Sequence, residues 1–98
     1  MPWQGTPDLP YTRQGILDHA PSAPGVYVIS NGSSIIYVGE SRDVQARLLA
    51  HVSGDNVCIT MFTPTAWAYE LVAAEEGRAA RQVELIRELS PACNQRPG

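Results

Sequence analysis

The segment Gly25–Gly39, which reads GVYVISNGSSIIYVG, determines the fold class of this 98-residue chain. Two runs rich in β-branched and aromatic residues flank a central Asn-Gly pair, which is the strongest short-range signal for a β-hairpin. Facing residues of an antiparallel hairpin have a constant sum of residue numbers, so a loop over 31–33 predicts that Tyr27 faces Tyr37. Both phenol side chains are then expected on one face of the sheet.

The segments outside this hairpin predict helices and one further strand. In chain order we predict a short helix over 12–19, the hairpin, a helix over 43–52, a short helical turn over 56–62 capped by Asp55, a strand over 67–72 and a helix over 75–89. The predicted fold is α+β, with a small three-stranded antiparallel sheet flanked by helices. Residues 1–21 are predicted to form an N-terminal arm with a short helix, and residues 22–98 the domain itself.

Composition and cysteine spacing exclude several classes of protein. A hydrophobic content of 44% excludes a disordered chain, and no apolar run is long enough to span a membrane. The first five residues lack the features of a signal peptide. Cys58 and Cys93 have no neighbouring Cys or His at ligand spacing, which argues against a disulfide scaffold and a structural zinc. We therefore predict a reduced, cytoplasmic protein.

The charge distribution is unusual for a protein that binds nucleic acid by itself. Seven basic residues against ten acidic ones give a formal net charge of −3. The chain contains no basic block, although neutralising phosphates supplies most of the affinity of non-specific DNA binding. If DNA is the substrate, a few placed arginines must contact it, or a partner subunit or a second copy in a homodimer must supply affinity.

Four further polar residues are candidates for a site. Arg47 and His51 lie four apart on the predicted helix over 43–52 and would overhang the tyrosine surface, although such a pair is more often a solvated helix face. On the last helix, Gln82 falls within the arc of the predicted buried residues, with Arg81, Glu84 and Glu88 on the opposite side. A buried amide needs a hydrogen bond, so Gln82 is either a helix-edge residue or a site residue. Asn94 alone reads as an ordinary loop residue. The predicted buried face of this helix comprises Ala79, Val83, Ile86 and Leu89.

These residues together resemble the GIY-YIG nuclease superfamily. Five elements occur in the order and at the spacing of that family, over about residues 22–95: Gly25-Val26-Tyr27, Tyr37-Val38-Gly39, Ser41-Arg42-Asp43 with Arg47-Leu48, His51, and the closing helix with its Pro91-x-x-Asn94 end. The resemblance implies a small domain that hydrolyses DNA phosphodiesters with one divalent ion, Mg²⁺ or Mn²⁺.

The resemblance also implies a role for each matched residue. Tyr27 and Tyr37 would orient and deprotonate the attacking water, with a neighbouring cation lowering the phenol pKa. Arg47 would hold the scissile phosphate and stabilise its growing negative charge. His51 would handle protons or contact phosphate, and Asn94 would brace the site through hydrogen bonds.

One departure from the family pattern concerns the metal. The family's metal-binding Glu lies twelve residues before the final Asn, and that position holds Gln82 here. Glu84 does not replace it, because two residues along a helix rotate the side chain by about 200°. An amide oxygen carries no charge, whereas hard divalent ions at phosphate sites favour carboxylates. A second departure is Glu40, where some relatives place a Lys.

Three explanations of Gln82 stay open at this point. The chain is a natural pseudo-nuclease, or its Glu was deliberately changed to Gln, or the metal is held elsewhere, for instance by Glu75 or Glu76. The leading hypothesis is a metal-dependent endonuclease domain impaired by Gln82. The alternatives are a catalytically inactive nucleic-acid-binding or adaptor module on the same fold, and an acidic domain that binds protein.

Overall fold

The computed structural model describes Trp3 and residues 7–94. Parts of both predicted domains, namely residues 1–2, 4–6 and 95–98, lie outside the described residues. Within the described residues, the elements in chain order are β1 (Leu9–Pro10), α1 (Arg13–His19), β2 (Gly25–Ser30), β3 (Ile35–Ser41), α2 (Val44–Val52), α3 (Val57–Met61), β4 (Ala66–Leu71) and α4 (Glu75–Leu89).

The strands form one antiparallel sheet in the order β1-β4-β2-β3. The predicted hairpin is β2 and β3, and the predicted third strand is β4, which pairs with the other side of β2. The two-residue strand β1 adds a fourth member, with Leu9 opposite Trp67. A strand of two residues is too short for an alternating pattern, so sequence periodicity cannot predict it. The predicted α+β class, a small antiparallel sheet flanked by helices, is confirmed.

Helices cover both faces of the sheet, and each face has its own apolar cluster. On one face α1, α2 and α3 contribute buried side chains that pack against strand residues: Ile16, Val44, Leu48, Ile59, Tyr27, Ile29 and Trp67. On the other face α4 packs against β2 and β3, with a fully buried core of Val26, Val28, Val38 and Leu85. None of the helices in the described residues is long and apolar enough to cross a membrane.

The helix α2, which carries two candidate site residues, begins where the sequence predicts. The side chain of Asp43 accepts a hydrogen bond from the backbone N–H of Ala46, which satisfies one of the free donors at the helix start. For α3 the capping residue is Asn56, not the predicted Asp55. The carboxylate of Asp55 is therefore available for a different contact, described below.

The face of α4 that contacts the sheet differs from the prediction. Ala79 and Val83 are exposed, whereas Leu85 is fully buried and Ile86 and Leu89 are partly buried. The spacing of apolar residues predicts a face that is rotated from the observed one, because two arginines, which are not apolar, also lie on the inner side of the helix.

Both of these arginines are paired with carboxylates of the sheet. Arg78 is 3% exposed and donates to Glu40 of β3, while Arg81, predicted to point towards solvent, is 13% exposed and donates to Glu70 of β4. A buried guanidinium is tolerated when its donors are satisfied, and both of these are engaged by sheet carboxylates. Pairing across elements is invisible to a hydrophobicity pattern, which explains the error.

The prediction of two free cysteines is wrong. Cys58 of α3 and Cys93, after the end of α4, form a disulfide across a separation of 35 residues. Their separation carries no local signal, because only the packing of α3 against the end of the chain brings the two side chains together. The bond links the α1–α2–α3 side of the domain to the segment that follows α4.

Reduction of this disulfide is expected to lower the free energy of unfolding by about 3 to 4 kcal/mol, since closing a loop of this length restricts the unfolded chain. Urea unfolding with and without a phosphine reductant measures the change, with thiol titration to verify reduction. The double variant Cys58→Ala/Cys93→Ala should show no response to the reductant. An unchanged midpoint for the fully reduced chain would contradict the prediction.

Candidate functional site

The two hairpin tyrosines lie on the same face of the sheet, but they do not face one another directly. Tyr27 pairs with Gly39, and Tyr37 pairs with Ile29. The hairpin loop is one residue longer than predicted, with Ser30 opposite Ile35, and an irregularity between Ile29 and Ser30 shifts the register by one more residue. The rings are diagonal neighbours with centroids 6.2 Å apart. The predicted face was therefore right and the predicted pairing wrong, since the longer loop and the irregularity together change the constant sum of residue numbers.

Gly39 leaves the space in which the Tyr27 ring lies. A Cβ atom at position 39 would stand 2.2 Å from Tyr27 Cζ and 2.3 Å from its hydroxyl oxygen, far inside van der Waals contact. A glycine is thus needed at position 39, because the ring and the hydroxyl of Tyr27 lie where any larger residue would place its Cβ atom.

The Gly39→Ala variant should push the Tyr27 ring from this position and lower the free energy of unfolding by about 1 to 3 kcal/mol, as overpacking generally does. Urea unfolding measures the loss. Gly77→Ala in α4 is the matched control, because its Cβ would come no closer than 3.2 Å to a neighbouring atom. Equal stabilities of the two variants would show that Tyr27 moves aside freely.

The hydroxyl of Tyr27 begins a chain of hydrogen bonds that runs through the buried His51 to the exposed Asp55. It lies 2.8 Å from Nε2 of His51, which is 2% exposed, and Nδ1 of the same ring lies 2.8 Å from Oδ1 of Asp55. A carboxylate only accepts, so the His51 Nδ1–H donates to Asp55. In the neutral ring Nε2 is then the acceptor, and the Tyr27 hydroxyl donates to it. Asp55 is not among the site residues predicted from the sequence, although its place four residues after His51 is a usable signal.

Burial favours the neutral forms of Tyr27, Tyr37 and His51. Desolvation raises the pKa of Tyr27 far above its usual value of 10, with a smaller contribution from Tyr37, while Arg47 acts in the opposite direction. Burial likewise raises the pKa of Tyr37. Desolvation lowers the pKa of His51 below 6.5, and Asp55 partly opposes it. The predicted lowering of the phenol pKa by a cation is thus present as an influence of Arg47, but burial outweighs it.

A pocket of about 330 Å³ opens in front of the tyrosines. It lies between the sheet, α2, α3 and α4, and its lining comprises Tyr27, Tyr37, Glu40, Arg47, Asn56, Gln82, Val83, Ile86, Cys93 and Asn94. Five of the six candidate residues from the sequence therefore line one cavity. The sixth, His51, lies behind Tyr27. Tyr27 borders the innermost part of the pocket and is excluded from bulk solvent, whereas Tyr37 is partly exposed and Arg47 is exposed.

Asn94 and Gln82 both bind the backbone of Val38 on β3. The amide oxygen of Asn94 accepts from Val38 N at 2.6 Å, and its amide nitrogen donates to Val38 O at 3.0 Å. Gln82 Nε2 donates to the same carbonyl oxygen at 3.2 Å. Because the nitrogen of Gln82 is used in this way, the atom it can offer to a ligand is the amide oxygen, a neutral acceptor.

The donors in this pocket fit a divalent cation poorly. Magnesium sites of this kind use one or two carboxylates. Gln82 supplies none, and the Glu40 carboxylate is already held by Arg78 at 3.0 Å. Glu75 and Glu76, proposed above as substitutes, lie exposed in the first turn of α4 and do not line the pocket. In the part of the chain that the structure describes, no three His, Cys, Asp or Glu side chains gather as a metal site.

Comparison with known proteins identifies a family. Residues 23–89 match the family model of the GIY-YIG catalytic domain, which confirms the resemblance seen in the sequence. The chain is similar to the curated Excinuclease Cho of Salmonella typhi, with 26% identity over 91 residues, and to the UvrABC system protein C of Nitrobacter hamburgensis, with 32% identity over 81 residues. These alignments cover 91% and 78% of this chain but 31% and 12% of the relatives, so the chain spans a third or less of their length.

The fold is also similar to a solved structure. The GIY-YIG N-terminal endonuclease domain of UvrC from Thermotoga maritima, bound to its catalytic divalent cation magnesium, superposes with a TM-score of 0.73 at 25% identity. The match covers 84% of this chain and 93% of that domain. The magnesium belongs to that domain, and the donor set described above differs from what such an ion prefers.

Proposed function

We propose, from the premise that this chain belongs to the GIY-YIG family of catalytic domains, that it is a DNA endonuclease domain whose own activity Gln82 limits. The observation that supports this proposal best is the convergence of Tyr27, Tyr37 and Arg47 on one pocket, with His51 behind it. The substrate is a phosphodiester of DNA, and the products are two strand ends, one of which carries the phosphate.

The hydrogen-bond chain explains how a phenol with a raised pKa can take part in proton transfer. One water in the pocket would donate to the Tyr27 oxygen, with Tyr37 orienting it from the open side. As the water oxygen attacks phosphorus, its proton passes to Tyr27 while the Tyr27 proton passes to Nε2 of His51. No free tyrosinate forms, so the raised pKa is no obstacle. Asp55 stabilises the resulting imidazolium.

Arg47 would bind the phosphate on the exposed side of the pocket. Its guanidinium can donate two parallel hydrogen bonds to phosphate oxygens, on which negative charge increases during attack. The bond from phosphorus to the leaving sugar oxygen breaks, the electron pair stays on that oxygen, and solvent supplies its proton. Asn94 and Gln82 hold β3, and with it Tyr37, in place through the Val38 backbone.

Affinity for DNA must come largely from outside this chain. Its net charge of −3 opposes binding to a polyanion, and Arg47 is a single exposed cation of the pocket lining. The relatives are at least three times longer than the part that aligns. We therefore propose that further segments of a longer protein, a partner subunit or a second copy bring the domain to DNA.

The cytoplasm remains the proposed location, since DNA cleavage requires access to DNA. The Cys58–Cys93 disulfide opposes this assignment, because the cytosol normally keeps thiols reduced. Alkylation of thiols in intact cells, followed by mass spectrometry of the purified chain, measures the fraction bonded there. A chain that is fully bonded in growing cells would favour an oxidising compartment.

A second candidate function is a nucleic-acid-binding module that does not cut. The observation in its favour is the donor set, in which position 82 is an amide and Glu40 is paired with Arg78. Nicking of supercoiled plasmid by this chain and by Gln82→Glu, with Mg²⁺ or Mn²⁺, separates the two functions. Nicking by the Glu variant supports the endonuclease. Binding that weakens steeply with salt, without cleavage by either form, supports the module.

A further inference from the structure

We infer that Asp55 is a positioning residue of this site, which fixes the imidazole of His51 in the tautomer whose Nε2 accepts the hydroxyl proton of Tyr27. This inference deepens the proposed function and rests on it for its catalytic meaning. The geometric part stands by itself: two contacts of 2.8 Å, one on each ring nitrogen of a histidine that is 2% exposed.

The turn after α2 places the Asp55 carboxylate under the histidine. Gly54 has a φ of +94°, a backbone conformation that residues other than glycine rarely adopt. Its N–H donates to the carbonyl oxygen of His51 at 2.9 Å. The chain therefore reverses at once, and the N–H of Asp55 returns to the carbonyl oxygen of Ala50 at 3.3 Å. This reversal brings the side chain of residue 55 back to Nδ1 of residue 51.

The tautomer determines what the histidine can do. An isolated neutral imidazole can carry its proton on either nitrogen, and a proton on Nε2 would make His51 a donor towards Tyr27. The Tyr27 hydroxyl would then have no base to receive its proton. With Nδ1–H committed to Asp55, Nε2 stays an acceptor, and the Tyr27 oxygen keeps a lone pair directed at the pocket.

The charge of Asp55 also acts on the neighbouring phenols. Burial is the main cause that raises the pKa of Tyr27, Tyr37 and Tyr11, the last to about 12, and Asp55 adds a smaller contribution in the same direction to each. The contact that fixes the place of the carboxylate is its hydrogen bond with Nδ1 of His51.

The test is ¹⁵N NMR of the imidazole nitrogens in the intact chain and in Asp55→Ala. The exposed His19 serves as an internal reference, and His51→Gln assigns the signals. We expect a protonated Nδ1 and an unprotonated Nε2 for His51, and a change towards protonated Nε2 in Asp55→Ala. Asp43→Asn is the control, because Asn caps a helix as well as Asp and position 43 does not touch His51. A protonated Nε2 in the intact chain, or an unchanged tautomer in Asp55→Ala, overturns the inference.

Cleavage kinetics supply the second measurement, in the Gln82→Glu background. Asp55→Ala should lower kcat by at least about 10- to 100-fold with little change in KM, the range found when an outer hydrogen-bond partner of a functional histidine is lost. Equal kcat values would overturn the positioning role even if the tautomer changed. If the background variant does not cut DNA, the proposed function fails, and the NMR result still decides whether Asp55 sets the tautomer.

Discussion

Replacing Gln82 by glutamate is expected to increase Mg²⁺-dependent nicking of supercoiled DNA by about 100-fold. Adding or removing a side chain that helps to hold a metal ion changes metal affinity or activity by about this factor. The variant places a carboxylate in a pocket whose other carboxylate, Glu40, is held by Arg78. A glutamate also lacks the N–H that now donates to Val38 O, so its carboxylate is repelled from that carbonyl and towards the pocket.

Thermal unfolding gives a readout of the same change that does not depend on catalysis. A ligand that binds only the folded state raises Tm with its concentration. Mg²⁺ should therefore raise the Tm of Gln82→Glu more than that of the parent chain. Gln45→Glu is the matched control, since Gln45 Nε2 makes a similar bond of 3.2 Å to a backbone oxygen, that of Ala20, away from the pocket. Equal responses to Mg²⁺ in all three proteins would refute a metal role for position 82.

Arg47→Ala should reduce cleavage by about 100- to 1,000-fold, the range found when a donor to a developing negative charge is removed. The measurement is single-turnover cleavage in the Gln82→Glu background. Because Arg47 is exposed, the free energy of unfolding should change by no more than about 0.5 kcal/mol. Arg47→Lys should recover part of the rate, since a lysine keeps the charge but lacks the planar fork.

The control for Arg47 is Arg42→Ala, which removes an exposed arginine just before α2 that does not line the pocket. It should leave the cleavage rate close to that of the background. A similar loss in both variants would indicate general electrostatic attraction of DNA. Unfolding of Arg47→Ala alone would show that the residue supports the fold, and the proposed phosphate contact would then lack its basis.

The fold could be predicted from local patterns because its decisive elements are local. The Asn-Gly hairpin and the helix starts depend on residues within a few positions of each other. The predicted register of β2 and β3 is wrong for two reasons: the loop is one residue longer, so that Ser30 pairs with Ile35, and the irregularity between Ile29 and Ser30 shifts the pairing by one more residue. The prediction of the buried face of α4 is wrong because Arg78 and Arg81 lie on the inner side of the helix, where carboxylates on distant strands pair with them.

In the candidate site, too, the sequence predicted some features and missed those that depend on contacts between distant residues. Local patterns indicated all six candidate residues, the family resemblance implied their roles, and five of the six line one pocket. The features that sequence did not reveal depend on tertiary packing: the Cys58–Cys93 bond, the pairing of Glu40 with Arg78, and the depth at which Tyr27 is buried. Burial in particular reverses the expected direction of the phenol pKa, and no linear pattern reports it.

The two hydrogen bonds between Asn94 and the backbone of Val38 have a consequence for assembly. β3 is an outer strand, and its free backbone groups could recruit a strand from another molecule. The segment after α4 occupies them: Ala92 N and Cys93 N donate to the carbonyls of Ile35 and Ile36, and the Asn94 amide imitates a peptide group opposite Val38. A side chain that faces the cavity thus also shields this margin of the sheet from aggregation, so a defect caused by altering Asn94 would not by itself identify a chemical role.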